Sequence, residues 1–488
     1  MLGLGNDVNN HTDRGRQALR KIRNENRSVI PFSSNIFPKT EGAYVVGGSI
    51  RDVLLERIPT DYDIAVKGNP EEFARKMASN RAGHVVEMGK AGQKIFRVIL
   101  NKHIFDISSL NGTCIEDDLK KRDFTINAVA YDLFSGKIID CAGGLKDLAD
   151  KCIRMVSETI FTEDPIRLIR AYRMSACLAF NIDKRTAAMI KNQAEQIKYS
   201  AGERVRTELF KILGTATSYN YLSQMAETDL LTTIIPELSP LKGCFQNNRH
   251  VYDVFEHSMK AYQQLETIVN DFGKYFPGIT IPTHQKIGAE KTVLLKCSML
   301  LHDVGKSPAK TIDNDGNTRF YGHASKSADM AQKISQRLKF STRDRRFVDS
   351  IIRNHMKPLF LFNANQKKTL KPNGLTRFFI KSGDNMPYLL LHAMGDTKAK
   401  QAGKASRDFI SFIREMMRYF FDDFKPRSEK PRLVTGYDLI HVFALPPSPL
   451  FKTILDNVEE ARLANRIHNR SQALDLVGEF LNEMIRRT

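Results

Sequence analysis

The feature that most constrains this chain is a change in hydrophobic period near Gly144. Between Tyr44 and Ile139 the runs YVVGG, DYDIAV, HVVEM, IFRVIL and HIFDIS are short and apolar or alternating, as strands are. Interleaved with them, SIRDVLLER and PEEFARKMA carry the helical period. Beyond Gly144 nearly everything reads as helix, broken at Pro236, Pro240, Pro277, Pro282 and between Pro426 and Pro431. Neither one sheet nor one bundle accommodates both patterns. The expected fold class is α+β, a mixed sheet with helices at the front and an all-helical body behind it. With 488 residues the chain exceeds what one core can serve, and three or four domains of roughly 100–150 residues are expected.

Charge narrows the partners. Lysines and arginines exceed acidic residues by enough to give a formal net charge of +19, which favours polyanions through phosphate contacts and counterion release. No apolar run approaches the roughly 18–20 residues that cross a bilayer, so no membrane partner is expected. The stretch MLGLGNDVNNHTDRGRQALRKIR has no apolar core of signal-peptide length, and the six scattered cysteines contain no C-x-x-C pair. Both point to a reducing cytoplasm and away from a disulfide framework or zinc knuckle.

In DYDIAV, Asp61 and Asp63 are two residues apart, so on a strand both carboxylates leave the same face. Asp106, between Phe105 and Ile107, is a third carboxylate on a strand-like run, and strand pairing decides whether it joins them. Oxygen clusters of this kind suit Mg²⁺. Such ions assist a hydroxyl attacking an α-phosphate and stabilise departing pyrophosphate. Gly47-Gly48-Ser49 lies between strand YVV and the helix starting near Ile50, where backbone N–H groups and the helix terminus suit a phosphate. Arg51 in the first turn can hold a triphosphate, while Ser49 and Asp52 form a box-like capping pair. Farther on, EDDLKKRDFTINAVA places Arg122 and Asp123 before a return to the sheet. EDPIRLIRAYR places Asp164, Arg167, Arg170 and Arg173 at spacings of three, close to one helical stripe. An Asp–Arg pair there matches the donor and acceptor edge of cytosine; alone, the stripe equally reads as surface salt bridges.

In order and spacing, GGSIRDVLL, DYDIAV, KKRDFTINA, DCAGGLKDL, EDPIRLIRAYR and GERVRTELFKIL resemble the class II tRNA nucleotidyltransferase and bacterial poly(A) polymerase family over roughly residues 40–215. The C-terminal run Leu433–Val477 resembles the family's tail, with Pro446-Pro447-Ser448-Pro449 where Pro-Gly-Pro often stands. The resemblance implies a polymerase-β-type head and a helical neck that acts as a protein template for CTP and ATP. It implies Asp61 and Asp63 as metal ligands and Gly48 and Arg51 as triphosphate contacts; Gly47, Ser49 and the third carboxylate, Asp106, stand beside them on the reading of the residues above. Arg122 is implied as a nucleotide-binding arginine, although Lys121 replaces the arginine usually before it. Asp164, Arg167, Arg170 and Arg173 are implied as contacts to the incoming base and phosphates. The implied partner is the 3′ end of tRNA or another RNA. Only SSLNGTCI separates Ile107 from Glu116, and Asn111 stands where an arginine often occurs. The longer loop of CCA-adding members is associated with the switch from CTP to ATP, so CCA and CC addition both stay open. Poly(A) addition is the third option, disfavoured by the lack of extended basic segments.

A separate constellation lies in the middle of the chain: His257, His302, Asp303, His323, His355 and Asp396. Mixed imidazole and carboxylate ligands suit Mn²⁺, Fe²⁺, Ni²⁺ or Zn²⁺, which can activate water against a phosphate ester. HDVGK at the end of an apolar run resembles the HD phosphohydrolase superfamily, with His323 and His355 implied at a second metal. The expected organisation is a basic lead-in helix (1–39), a nucleotidyltransferase head (40–155), a neck (156–245), an HD domain (246–400) and a helical RNA-binding tail (401–488). Two other readings compete: a phosphohydrolase whose head only binds RNA or nucleotide, and a non-catalytic RNA-binding module.

Overall fold

The computed structural model describes residues 30, 36–79, 83–90, 93–100, 103–245, 252–279, 288–315, 317–371, 373–400 and 403–486. The lead-in helix expected around Arg14–Asn24 lies outside these. The described chain divides into two compact units. One holds Met1–Thr215 with Asn220–Ile234, the other Ala216–Tyr219 with Ile235–Thr488. The division falls inside the stretch expected as neck.

In the first unit the five strand-like runs become β1 (Ala43–Val46), β2 (Asp61–Val66), β3 (His84–Lys90), β4 (Gln93–Leu100) and β5 (His103–Ser109). Val129–Asp132 (β6) and Ile138–Asp140 (β7) complete a seven-stranded sheet of order β3-β4-β5-β2-β1-β6-β7. Only β2 and β5 pair in parallel. Alternation along β2 sends Tyr62 and Ile64 into the core, where Tyr62 stacks on Phe105 with ring centroids 5.4 Å apart.

Helix α1 (Gly48–Leu54) follows β1 directly, and α2 (Pro70–Ser79) packs on β4 and β5 through a stripe that buries Phe73, Ala74, Met77 and Ala78. Helix α3 (Ile115–Lys120) buries Ile115 and Leu119 against Val46, Ala65, Ala128 and Ala130. Val46 and Ala65 share the sheet face of Asp63, so α3 covers that face right beside the carboxylates.

After α4 (Gly144–Ala149) the unit is helical, including α5 (Ile166–Leu178) and α6 (Gly202–Leu213), which pack together. Beyond Gly144, where nearly everything was expected to be helix, two short ladders interrupt the helices. Cys152–Ile153 and Asn181–Ile182 form a two-residue parallel ladder, and in the second unit Thr311–Ile312 pairs with Thr318–Arg319. Strands this short are set by tertiary contact and carry no readable period.

The second unit is built on α7 (Val254–Asn270), α8 (Ala289–Leu301), α9 (His323–Arg337), α10 (Thr342–Asn354) and α11 (Met386–Lys398). Asp253 and Glu256 form a capping box at the start of α7. Helix α10 shows the amphipathic logic plainly: Phe347, Val348, Ile351 and Ile352 are buried, and charged or polar residues fill the rest. Its C-terminal part holds α12 (Gly436–His441), α13 (Leu450–Leu463) and α14 (Arg470–Ile485), joined over a small core of Val434, Leu439, Ile454, Val458, Ala473 and Val477. No described helix is long and apolar enough to cross a membrane, and all six cysteines are free.

Candidate active site and candidate metal centre

Strand register answers the question the sequence left about Asp106. Asp63 on β2 lies opposite Asp106 on β5, and Asp106 lies opposite Arg97 on β4. Residues facing each other across a sheet share a face, so Asp61, Asp63 and Asp106 stand together on one face with Arg97 beside them. Both Asp106 oxygens accept from Arg97, Nε at 2.8 Å and Nη2 at 2.7 Å. Burial is the largest influence on Asp63 and pushes its carboxyl up to about 6, with Asp61 and Asp106 adding to the rise and Arg122 opposing it. Three carboxylates on one face, one of them held back from ionising chiefly by burial, form a donor set whose mutual repulsion a divalent cation would relieve.

The turn beside them is built for close approach. Gly47 has φ 73°, a region that favours glycine. A Cβ there would lie 2.8 Å from Nη1 of Arg122 and 3.3 Å from Oδ2 of Asp63. The expected capping pair of Ser49 and Asp52 does not form. Gly47 is the N-cap residue and no side chain caps the helix. Ser49 Oγ instead donates to the Val46 carbonyl at 2.8 Å and accepts from the Asp63 N–H at 3.3 Å, fastening the turn to β2. Asp52 accepts from Nε of Arg51 at 2.8 Å, while Nη1 of Arg51 reaches Asn127 Oδ1 at 2.8 Å.

The neck stripe needs a correction. Arg167, Arg170 and Arg173 lie on α5, but Asp164 is extended (φ −144°, ψ 97°) and precedes the helix, since Pro165 takes the N-cap place. Asp164 pairs with Arg204 of α6, Nη1–Oδ1 at 3.0 Å and Nη2–Oδ2 at 2.7 Å. Arg167 donates to Glu163 at 3.3 Å and to the Lys121 carbonyl at 3.0 Å. Arg170 spans Asp123 at 3.3 Å and Glu208 at 3.4 Å, and Arg173 pairs with Glu208. Asp123 in turn accepts from Asn127 Nδ2 at 2.9 Å, so a polar chain runs from Arg170 through Asp123 and Asn127 to Arg51. Arg97, Asp118, Arg204 and Glu208 were missed in the sequence. Arg204 and Glu208 lie in the quoted run GERVRTELFKIL, yet nothing local reveals which distant charge each will meet.

In the second unit all six expected residues converge. His302 follows α8 as its C-cap residue, Asp303 is next to it, His323 opens α9, and His355 follows α10 as its C-cap residue. His257 comes from α7 and Asp396 from α11. Ligand atoms of His257, His302 and Asp396 lie within 4.8 Å of one another, as do those of Asp303, His323 and His355. His302, His323 and His355 each donate Nδ1–H to the carbonyl three residues earlier, at 2.8, 3.0 and 2.7 Å. That fixes the tautomer and leaves Nε2 as a donor atom for a metal.

The fit to a metal rests on buried ligand atoms. His302 and Asp303 are each 1% exposed; Oδ2 of Asp303 has Nε2 of His302 at 3.1 Å and Nζ of Lys306 at 2.7 Å, while Oδ1 of Asp303 makes no hydrogen bond, an unfavourable state for a buried carboxylate oxygen unless an ion satisfies it. Burial disfavours charge on His302, but Asp303 and Asp396 outweigh it and hold its pKa up at about 9. Lys306 and Lys400 reach Asp303 and Asp396 at 2.7 and 2.8 Å. His392, one turn before Asp396 and fully buried, joins the ring cluster 5.2 Å from His302 between centroids.

Comparison with known proteins agrees with this division. Residues 43–154 match the Poly A polymerase head domain, 179–242 the "Probable RNA and SrmB- binding site of polymerase A", and 254–371 the HD domain. The chain is 29% identical to the A-adding tRNA nucleotidyltransferase of Deinococcus radiodurans, over 91% of this chain and 97% of that one. It is 28% identical to the CC-adding tRNA nucleotidyltransferase of Synechocystis sp., over 93% and 97%. Among solved structures it is similar to the Thermotoga maritima CCA-adding enzyme complexed with tRNA, with TM-score 0.63, 18% identity, and coverage of 96% of this chain and 98% of that one. A CCA-adding enzyme complexed with CTP gives TM-score 0.66 at 18% identity and the same coverage.

Proposed function

Because the chain belongs to the tRNA nucleotidyltransferase and poly(A) polymerase family, we propose that it transfers CMP from CTP to the 3′ end of tRNA, stops after two cytidines, and releases pyrophosphate. The observation that carries transfer is the row Asp61, Asp63 and Asp106 beside the Gly47-Gly48 turn, Arg51 and Arg122. Asp61 and Asp63 would hold Mg²⁺, which when bound neutralises the α-phosphate and favours the 3′-oxygen as nucleophile. The chain's own part is positional. Arg51 and Arg122 bind the triphosphate, the Gly47 turn lets it approach the strand, and Arg97 keeps Asp106 fixed at the edge of the site.

The stop after two cytidines is supported by the loop before α3. It is short and tied down: the Asn111 N–H donates to Asp118 at 3.0 Å, Thr113 donates twice to Asp117, and Lys121 Nζ donates to the Asn111 carbonyl at 2.9 Å. A loop held at these points lacks the freedom associated in this family with the change from CTP to ATP. Purified protein with Mg²⁺ should extend a tRNA lacking CCA when given CTP, and should leave a tRNA ending in CC unchanged when given ATP. No CMP incorporation on any tRNA would overturn transfer. AMP incorporation would overturn the stop, and long adenosine runs would indicate poly(A) synthesis.

A second activity is favoured by the buried Oδ1 of Asp303, which makes no hydrogen bond and lies in one ligand cluster with His323 and His355. In this reading the HD site holds one or two transition-metal ions (Mn, Ni, Fe or Zn) and hydrolyses phosphate esters such as 2′,3′-cyclic phosphates. His302→Ala should abolish that hydrolysis while CMP addition persists; equal loss of both would mark the domain as a scaffold. A cytoplasmic location completes the reading.

A further inference from the structure

We propose that Asp118 is a positioning residue that couples the loop at 110–114 to the nucleotide-facing arginine, an inference that rests on the transfer reading. Asp118 sits on α3 and is buried, and its two oxygens serve different masters. Oδ2 accepts from Arg122 at Nε, 2.9 Å, and at Nη2, 2.8 Å. Oδ1 accepts from the backbone N–H of Asn111 at 3.0 Å.

With Nε and Nη2 held, Arg122 turns its remaining nitrogen, Nη1, toward the Gly47 turn. There a Cβ would come within 2.8 Å of it and within 3.3 Å of Asp63 Oδ2. The guanidinium is thereby aimed at the place where the triphosphate meets the carboxylates. A paired guanidinium edge is a fixed fork, and charge-assisted hydrogen bonds of this kind are about twice as strong as neutral ones. Without Asp118 the arginine is free to rotate toward Asp63 or solvent.

The loop is the other end of the coupling. Gly112 has φ 152°, and a Cβ there would lie 2.4 Å from Cβ of Asp117, so the loop lies flat on α3. The loop cannot lift from α3 without releasing Oδ1 of the carboxylate that aims Arg122. Loop shape and nucleotide binding therefore share one side chain, and a loop that moves to admit a different base disturbs the hold on the triphosphate.

The alternative is that Asp118 only staples loop to helix. The test is a cycle of Asp118→Asn, Arg122→Lys, the double variant and Asn111→Pro, the last removing the N–H donor while leaving the Asp118–Arg122 pair. KM for CTP, kcat, CTP affinity by calorimetry and Tm are measured on each. D118N should raise KM for CTP roughly tenfold with kcat changed less, since a charge-assisted pair is lost, and should add little in the R122K background. N111P should move KM in the same direction by a smaller factor and combine less than additively with D118N. Independent, multiplying effects of D118N and R122K would overturn the coupling, as would losses that simply follow a fall in Tm. Failure of the unaltered protein to add CMP would sink the transfer reading instead, and the same cycle read by CTP affinity would still decide the role of Asp118.

Discussion

At Asp63 a single carboxylate feels burial, two like charges and two guanidinium groups, those of Arg122 and Arg51. Its folded pKa of about 6 lies above the ordinary 3.8, so between these values the native state binds more protons than the unfolded one. Stability from this group is therefore greatest at low pH and declines as pH rises through the window. Asp63→Asn should remove that decline. Denaturant melts of metal-free protein at pH 4 and pH 7 should show the variant gaining on the parent only at the higher pH, by under about 1 kcal/mol because the Asp63 residue is solvent-exposed even though neighbouring groups crowd its carboxyl. The same proton competes with Mg²⁺, so Mg²⁺ affinity should fall roughly tenfold per unit below pH 6, measurable by calorimetry. Among the metal-site candidates the sequence offered four histidines and two aspartates, but not that backbone carbonyls would fix three of the rings. Elemental analysis should find His302→Ala depleted in transition metal relative to the parent.

At the scale of elements, two glycines hold the sites together by letting segments touch. Gly47→Ala forces a side chain into a left-handed φ at a cost of about 1–2 kcal/mol and pushes its Cβ against Arg122 and Asp63. CMP addition should drop at least tenfold, a figure of roughly 1.4 kcal/mol, while circular dichroism stays native. Gly305, between Asp303 and the start of α9, is tighter still. A Cβ there would meet Ser327 N at 2.4 Å and the His323 carbonyl at 2.7 Å. Gly305→Ala should displace α9, lower metal occupancy through His323, and destabilise by about 1–3 kcal/mol, read from Tm and metal content. The strands and long helices were legible because alternation and amphipathic stripes are local properties. Asp164 was misplaced because a stripe counted at three-residue spacing ignores that Pro165 starts the helix after it. The Ser49 cap failed because the helix begins at Gly48, which puts Ser49 inside it, and its Oγ accepts from the Asp63 N–H instead of from a helix N–H.

For the whole molecule, the excess of 74 basic over 55 acidic residues predicts an electrostatic mode of RNA binding. Affinity for tRNA should fall steeply between 50 and 200 mM salt, with a log–log slope of roughly −0.7 to −0.9 per phosphate neutralised; a flat salt response in a filter-binding titration would contradict it. The carboxylate row and the histidine cluster belong to different compact units, each with its own core.

What the amino-acid sequence determined by itself was the alternation that makes the strands, the helical body, and the residue types of both sites, because periodicity and metal-ligand chemistry are written in short stretches. Tertiary structure decided which charges meet. Asp106 joins Asp63 only because β2 and β5 pair in parallel at one particular register, and a slip of one residue would turn it to the other face. Arg204 rather than Arg167 takes Asp164, and Asp118 holds both Arg122 and Asn111. Such pairings join residues through the packing of separate elements, a long-range constraint that no local pattern carries.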